Sequence, residues 1–423
     1  MPRLRRPIPA AALLAAACAD ATAPAGDAPV VPRRPLTAAE AAAVRASNAF
    51  AFDLLRGVGA EGAHRGRNLV LSPYGGAAAL GMALNGARGE TLAGMQQALG
   101  LAGRTVAEGN ASFQALTAYL LGADARVAVR SANSVWTAAG FPLAAAFADT
   151  VRRYFGAEVR SVAFGTAEAT RAVNAWAGAH TDGRIPRVFD DGEPSADNVV
   201  VLVNALYFRG AWSARFDAAE TRDRPFALPN GATVAVPTMS RAEAPVRVGG
   251  DAGGARVAEL PYGGGAYAMT VVLPPPGADV QAFAAALTPE RWDALVGGLR
   301  DATLPVLLPK FALAGESVWN APLQRLGMGA AFDPARADFS ALSPECRPQG
   351  APGHDCHVTF VKQNVDLRVD EEGTTAAAVT SVGVGPTSAP AAFAADRPFV
   401  FAVRERGSGA ILFIGRVLDP RAR

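Results

Sequence analysis

Residues 198–221 read NVVVLVNALYFRGAWSARFDAAET. The first half, NVVVLVNALYF, is a run of β-branched, aliphatic and aromatic side chains, the composition of a strand buried in a sheet. It also divides the chain. Upstream, the start signals are helical. Thr37 with Glu40 forms a capping box, and Ser72-Pro73 supplies an N-cap and a first-turn proline. The helix after Ser72, YGGAAALGMALNGA, is small-sided and uncharged, so it is expected to be buried on several faces, with Gly86 close to its end. GETLAGMQQAL, AAAFADTVRRYF and ATRAVNAWAGAHT continue the helical pattern. Downstream, ATVAVPTM, AYAMTVVLPPP, LPVLLPKF, VTFVKQNVDLRV, PFVFAVRE and ILFIGRV read as strands. Helices first and strands later define an α+β class with mostly antiparallel sheets.

The chain has 423 residues, of which 50% are apolar and 18% charged, enough for a substantial core. That length alone suits two or three average domains. The net charge of +2, without a basic run beyond the N-terminus, argues against a nucleic-acid partner. Lysine occurs only at 310 and 362, and arginine carries the remaining positive charge, a bias that with the abundant alanine suggests a GC-rich bacterial genome. Catalytic signatures are absent from the sequence. There is no Gly-x-Ser-x-Gly elbow, no Ser-x-x-Lys pair, no His-Glu-x-x-His zinc motif and no phosphate loop. His180 reads as structural, and the glycines at 250–254 and 263–265 read as hairpin turns. The chain is expected not to be an enzyme and to need no cofactor.

The N-terminus, MPRLRRPIPAAALLAAAC, places Arg3, Arg5 and Arg6 before a short apolar run from Ile8 to Ala17. The run is too short to span a bilayer and fits an export signal. Small residues lead into Cys18, as in a bacterial lipoprotein signal, which would anchor the chain to the cell envelope. Ordinary cleavage after Ala23, with secretion, is the rival. Residues 19–36 are rich in Ala and Pro and read as a tether. Export exposes Cys346 and Cys356 to oxidising conditions, so a disulfide closing a short loop is expected. A metal site from Cys346, His354, Cys356 and His357 is disfavoured, because neighbouring strand residues 356 and 357 point to opposite faces. Free thiols are the third alternative.

A second stretch is harder to place. DEEGTTAAAVTSVGVGPTSAP, residues 370–390, opens with three acids and then carries no charge until Asp396. Composition alone suggests a flexible linker, yet an exposed, uncharged β-prone segment is an aggregation hazard. The surrounding blocks resolve the conflict. NLVLSPYGGAAALGMALNGARGET (68–91), VNAWAGAHTDGRI (173–185), LVNALYFRGAWSARFDAAET (202–221), ELPYGGGAYAMTVVLP, LPKF, LGMGAAFDPARADFSALS and DRPFVFAVRERGSGAILFIGRVLDP resemble, in order, the conserved blocks of the serpin family. The resemblance runs from about Thr37 to Pro420. It implies one large domain over 37–423, preceded by a signal at 1–17 and a tether at 18–36. The fold it implies has helices around three mostly antiparallel sheets, in a metastable state with an exposed reactive loop at about 371–392.

On that resemblance, Glu371, Glu372, Gly373, Thr374, Thr375, Ala376, Ala377 and Ala378 match the loop hinge. The loop would enter a sheet after cleavage, as serpin reactive loops do. Alternate residues of an entering strand face the core. Neither the Thr374, Ala376, Ala378, Thr380 set nor the Thr375, Ala377, Val379, Ser381 set contains a charge, so either face is buriable. The bait bond implied is Thr387–Ser388: counting 17 residues from Glu371 ends at 387, and ten back from Pro398 gives 388. Thr387 is small and neutral, which suits an elastase-like or subtilisin-like serine protease. Ser72 and Asn204 match the hydrogen-bonded latch beneath the opening sheet, and Gln363 occupies a further position of it. The family's second Ser and its His are replaced here by Gly75 and Gln363, and Gln363 is expected to bond Asn204 through its amide. The implied partner is a target serine protease held in a covalent complex by a monomer. A non-inhibitory serpin acting as a binding or structural protein is the alternative, which the small-residue hinge disfavours.

If Cys18 carries a lipid, Cys18→Ala releases the protein from the membrane fraction. An unchanged fractionation pattern leaves ordinary secretion.

Overall fold

A computed structural model describes residues 34–346, 355–374 and 392–422. The helices of six or more residues are α1 (Ala38–Gly59), α2 (Pro73–Leu84), α3 (Gly89–Ala98), α4 (Val106–Leu121), α5 (Ala145–Phe155), α6 (Ala167–His180), α7 (Val280–Ala285) and α8 (Pro289–Gly297). Both expected start signals are present. Thr37 and Glu40 cap each other reciprocally, and Ser72 Oγ accepts from the Gly75 amide.

Two sheets carry the strands. The central sheet has six, in the order β10 (Phe311–Val318), β11 (Lys362–Val369), β12 (Gly373–Thr374), β4 (Val200–Ala211), β2 (Val127–Ala138) and β3 (Glu158–Val162). The second has nine: β1 (Leu69–Leu71), β15 (Ile411–Val417), β14 (Phe399–Glu405), β8 (Tyr267–Leu273), β7 (Arg256–Tyr262), β6 (Thr233–Gly250), β9 (Arg300–Pro309) and β13 (Phe393–Ala394), with β5 (Arg222–Ala227) paired to β6. Three sheets were expected. The second and third are continuous because β6 is 18 residues long, pairing with β5 at one end and β7 at the other, with β9 alongside. Only β2–β3 and β9–β13 pair in parallel among the described ladders. The class is α+β, as the change of texture at Asn198 implied. The expected hairpin glycines also fall in turns: Gly254 ends the β6–β7 turn, and Gly263 and Gly265 form the β7–β8 turn, all at positive φ.

The uncharged helix α2 lies between the sheets and is buried along most of its length. Its glycines are dictated by packing. A Cβ on Gly76 would sit 2.2 Å from the Trp319 ring, and one on Gly75 would sit 2.5 Å from Asn204 Oδ1. Trp319 is fully buried, crosses the Phe50 ring edge-on at 6.3 Å, and donates its indole N–H to Ser317. Trp136 and Trp176 form a separate apolar cluster with Val201 and Val203 where α6 lies on the central sheet. On the second sheet, buried Glu259 is held by Arg404, Arg406 and Arg247, so its charge is compensated inside the protein.

Gly76→Ala tests this packing by its sign. Helix propensity alone favours alanine by about 1 kcal/mol. Overpacking against a buried ring costs about 1–3 kcal/mol, so the variant is expected to melt below the wild type. A higher thermal midpoint would show that the ring has room to move.

Candidate functional site

The hinge begins where β11 ends. Asp370, Glu371 and Glu372 turn the chain, and Gly373-Thr374 forms β12 between β11 and β4. Thr374 pairs with Val369 on one side and Gly210 on the other. Gly373 is required by close approach, since a Cβ there would lie 2.0 Å from the Gly210 carbonyl oxygen. The Thr374 side chain is buried, its hydroxyl 2.5 Å from the Tyr262 hydroxyl. Tyr262 stacks on Trp212 at 4.4 Å, and Trp212 donates its indole N–H to the Asp370 carbonyl at 2.8 Å. The backbone amides of Trp212 and Phe216 donate to the carbonyls of Glu372 and Glu371. The tryptophan region after β4 is therefore the anchor of the hinge.

The acids of the hinge are held individually. Burial pushes the Asp370 carboxyl up, with neighbouring Glu371 adding to the rise. Burial also acts upward on Glu371, but the Lys310 ammonium at 2.9 Å and the Thr221 hydroxyl at 2.7 Å outweigh it and hold this carboxyl below its ordinary range.

Beyond Thr374 the two flanking strands part. Among the described residues no ladder joins β4 directly to β11. A cavity of about 280 Å³ lies between them, lined by Gly75, Gly76 and Leu80 of α2, by Trp319, and by Val203 and Val361 on its two sides. The expected latch residues all line it, but in two groups. Gln363 accepts from the Ser72 amide and donates to the Ser72 carbonyl, both at 2.7 Å. Asn204 instead donates to Asn133 at 2.9 Å and to Ser131 at 3.1 Å. The expected Gln363–Asn204 bond is thus replaced by one bond set on each side of the cavity. The physical reason is that β4 and β11 are spread, and each amide finds partners on its own side.

Thr375, Ala376, Ala377, Ala378, Thr387, Ser388 and Cys18 lie outside the described residues. The structure joins Cys346 and Cys356 in a disulfide, which occupies the two thiols of the alternative metal set. His180 packs against Trp176 at 4.5 Å and meets Glu158 at 3.4 Å. Sequence reasoning missed Tyr262, Thr221, Lys310, Asn133 and Ser131. A signal existed for Lys310, one of only two lysines in the chain.

The chain belongs to the serpin family: the family's model, described as serpin (serine protease inhibitor), matches residues 45–420. It is 32% identical over 383 residues to serpin B8 of Bos taurus, covering 89% of this chain and 98% of that protein. It is 33% identical over 386 residues to leukocyte elastase inhibitor of Sus scrofa, with coverage of 89% and 98%. Among solved structures, the thermophilic serpin tengpin in its native state matches with a TM-score of 0.79 and 25% identity, over 92% of this chain and 96% of that one. Relatives of this family are inhibitors rather than catalysts, which supports protease inhibition in general for this chain.

The hinge carries a pH prediction. Glu371 has a lowered folded pKa, so its contribution is present above the ordinary carboxylate range and is lost as pH falls through the folded value. Asp370, raised, acts in the opposite sense. The protection of the amides of 371–374, taken relative to the intrinsic exchange rate at each pH, is expected to fall as the solution is acidified through the folded value of Glu371. Lys310→Met is expected to lower this protection at neutral pH and flatten its pH dependence. An unchanged acid response in that variant would assign it elsewhere.

Proposed function

We propose that this protein inhibits serine proteases by suicide cleavage of the loop after Thr374, followed by insertion of that loop between β4 and β11. The observation that carries the reading is the cavity between these strands, with β12 already hydrogen-bonded to both at one end. A protease attacks the Thr387 carbonyl as it would a substrate, forming an acyl-enzyme and freeing the amine of Ser388. The upstream segment then has one free end. Extending β12 gives two strand edges their ladder partners and buries small side chains, both favourable. The acylated protease is carried with the segment, and its active site is distorted before water completes hydrolysis. The protein contributes bait and conformational energy.

The register is specific. Thr374 faces Gly210 and Val369. Continuing antiparallel to both strands, Ala376 faces Phe208 and Leu367, Ala378 faces Leu206 and Val365, and Thr380 faces Asn204 and Gln363. The inward set is therefore Thr374, Ala376, Ala378 and Thr380, and Thr380 brings a hydroxyl to the two separated amides of the latch. Thr375 falls on the outward face beside Arg209 and Arg368, which explains why a polar residue is accommodated there.

A small, neutral Thr387 points to an elastase-like or subtilisin-like protease rather than a trypsin-like one. Export, with or without a lipid at Cys18, would place the inhibitor where such proteases act.

Incubation with a serine protease panel followed by denaturing gel is the decisive test. A denaturant-stable complex is expected with an elastase, together with a released C-terminal peptide beginning at Ser388 by mass spectrometry. Thr374→Arg would bury an unpaired charge at a cost of several kcal/mol and is expected to convert inhibitor to substrate. Cleavage without complex by every protease, and no rise in melting temperature after cleavage, would leave the non-inhibitory reading standing. Undiminished inhibition by Thr374→Arg would refute the hinge assignment.

A further inference from the structure

The block VNAWAGAHTDGRI has a task in the structure beyond holding α6. The connection from α6 to β4 lies over the outer face of the cavity and is fastened on both sides. On the α6 side, Asn174 accepts from the amides of Val188 and Phe189 at 2.7 and 2.9 Å and donates to the Phe189 carbonyl at 2.9 Å. Thr170 donates to the Glu193 carbonyl at 2.6 Å. On the β11 side, Lys362 is the main fastening. Its ammonium lies 2.7 Å from Glu193 of the connection and 3.0 Å from Glu316 of β10, with only 8% of the side chain exposed. The same ammonium stands 5.4 Å from the Phe189 ring centre. Asn364 donates to the Val188 carbonyl at 3.1 Å, and Asn198 donates to Thr359 at 3.0 Å.

The register makes this a barrier. Continued from Thr374 and its partner Val369, an inserting strand places Val379 opposite Asn364 and Ser381 opposite Lys362. Both are outward positions, since Gln363 between them turns inward to Ser72. The first residues of the loop can enter beside Gly210 and Phe208 without disturbing the connection. Further entry has to part β11 from Val188 and Glu193.

We propose that Lys362 is a positioning residue that clips the α6–β4 connection to β11 and so sets the rate at which the far half of the cavity admits a strand. The proposal rests on the insertion reading above. Removing the ammonium leaves Glu193 and Glu316 with side chains 48% and 45% exposed, both able to hydrate. The loss therefore falls on the clip and not on a stranded buried charge. Glu193 and Glu316 belong to different elements, so one cation ties the connection, β11 and β10 together.

The test uses the full-length protein and a synthetic peptide of residues 374–384, TTAAAVTSVGV, with annealing followed by native gel. Lys362→Met keeps the aliphatic stem against Phe189 and is expected to anneal the peptide on the order of tenfold faster than wild type. Lys362→Arg, retaining the charge, is expected to stay near the wild-type rate. Glu193→Gln, a change on the solvent side, is expected to accelerate annealing in the same direction with an unchanged melting temperature. Against an elastase, the association rate of Lys362→Met should match wild type while fewer inhibitor molecules are consumed per enzyme trapped. Equal annealing rates in wild type and Lys362→Met overturn the proposal, as does an Arg variant as fast as the Met variant. Peptide that anneals to no form of the protein overturns the insertion reading and the clip with it, an outcome distinct from annealing at unaltered rates.

Discussion

The fold turns on keeping two parallel strand edges apart while a two-residue strand bridges them at one end. Backbone N–H and C=O groups inside a protein need partners, so an opened sheet is a costly arrangement unless both edges are held from outside. Here the holding is divided. Trp212, Tyr262 and the close approach of Gly373 to Gly210 fix the bridged end. Ser72 with Gln363, and Asn204 with Asn133, satisfy polar side chains separately on the two sides. The glycines of α2 allow the helix to sit tightly under this region, so the cavity has a packed floor of backbone and Trp319.

Much of this was legible in the sequence because the relevant signals are local. The capping box at Thr37 and Glu40, the Ser72-Pro73 start, and the apolar runs of β4, β8, β14 and β15 announce themselves through composition and spacing. β2 does not. Its middle, RSANS, mixes charge and hydroxyls where a buried strand is expected to be apolar, because Ser131 and Asn133 serve Asn204 across the sheet and Arg130 reaches Asp182. Likewise, sequence reasoning misses α4, although Thr105 and Glu108 form a capping box as complete as the one on α1. The hinge was placed by family resemblance. Its anchoring was not legible, since Thr374, Tyr262 and Trp212 meet only through tertiary contact. The Gln363–Asn204 bond failed for a related reason: sequence gives the partners, and the spread of the sheet decides whether they touch.

The charges divide between permanent and adjustable uses. Glu259 with Arg404, Arg406 and Arg247 is a fixed cluster in the second sheet, with Glu259 and Arg404 almost fully buried. Losing Glu259 would strand the buried Arg404 charge in a low-dielectric interior. The hinge and β11 instead use single ammonium groups in pairs of which one partner is partly exposed, contacts weak enough to break during a rearrangement. Arginine's planar fork suits the first use and the compact lysine head suits the second.

That division gives the molecule an unplanned chemical handle. Its only two side-chain amines are Lys310 and Lys362. Lys362 is enclosed, whereas the Lys310 side chain is 41% exposed beside the hinge. Apart from the N-terminal amine, an amine-directed fluorophore would therefore attach to the folded protein chiefly at one side chain, the one that touches Glu371. A probe at that position would sense the environment of the hinge directly, making an otherwise silent movement of backbone visible as a change in light.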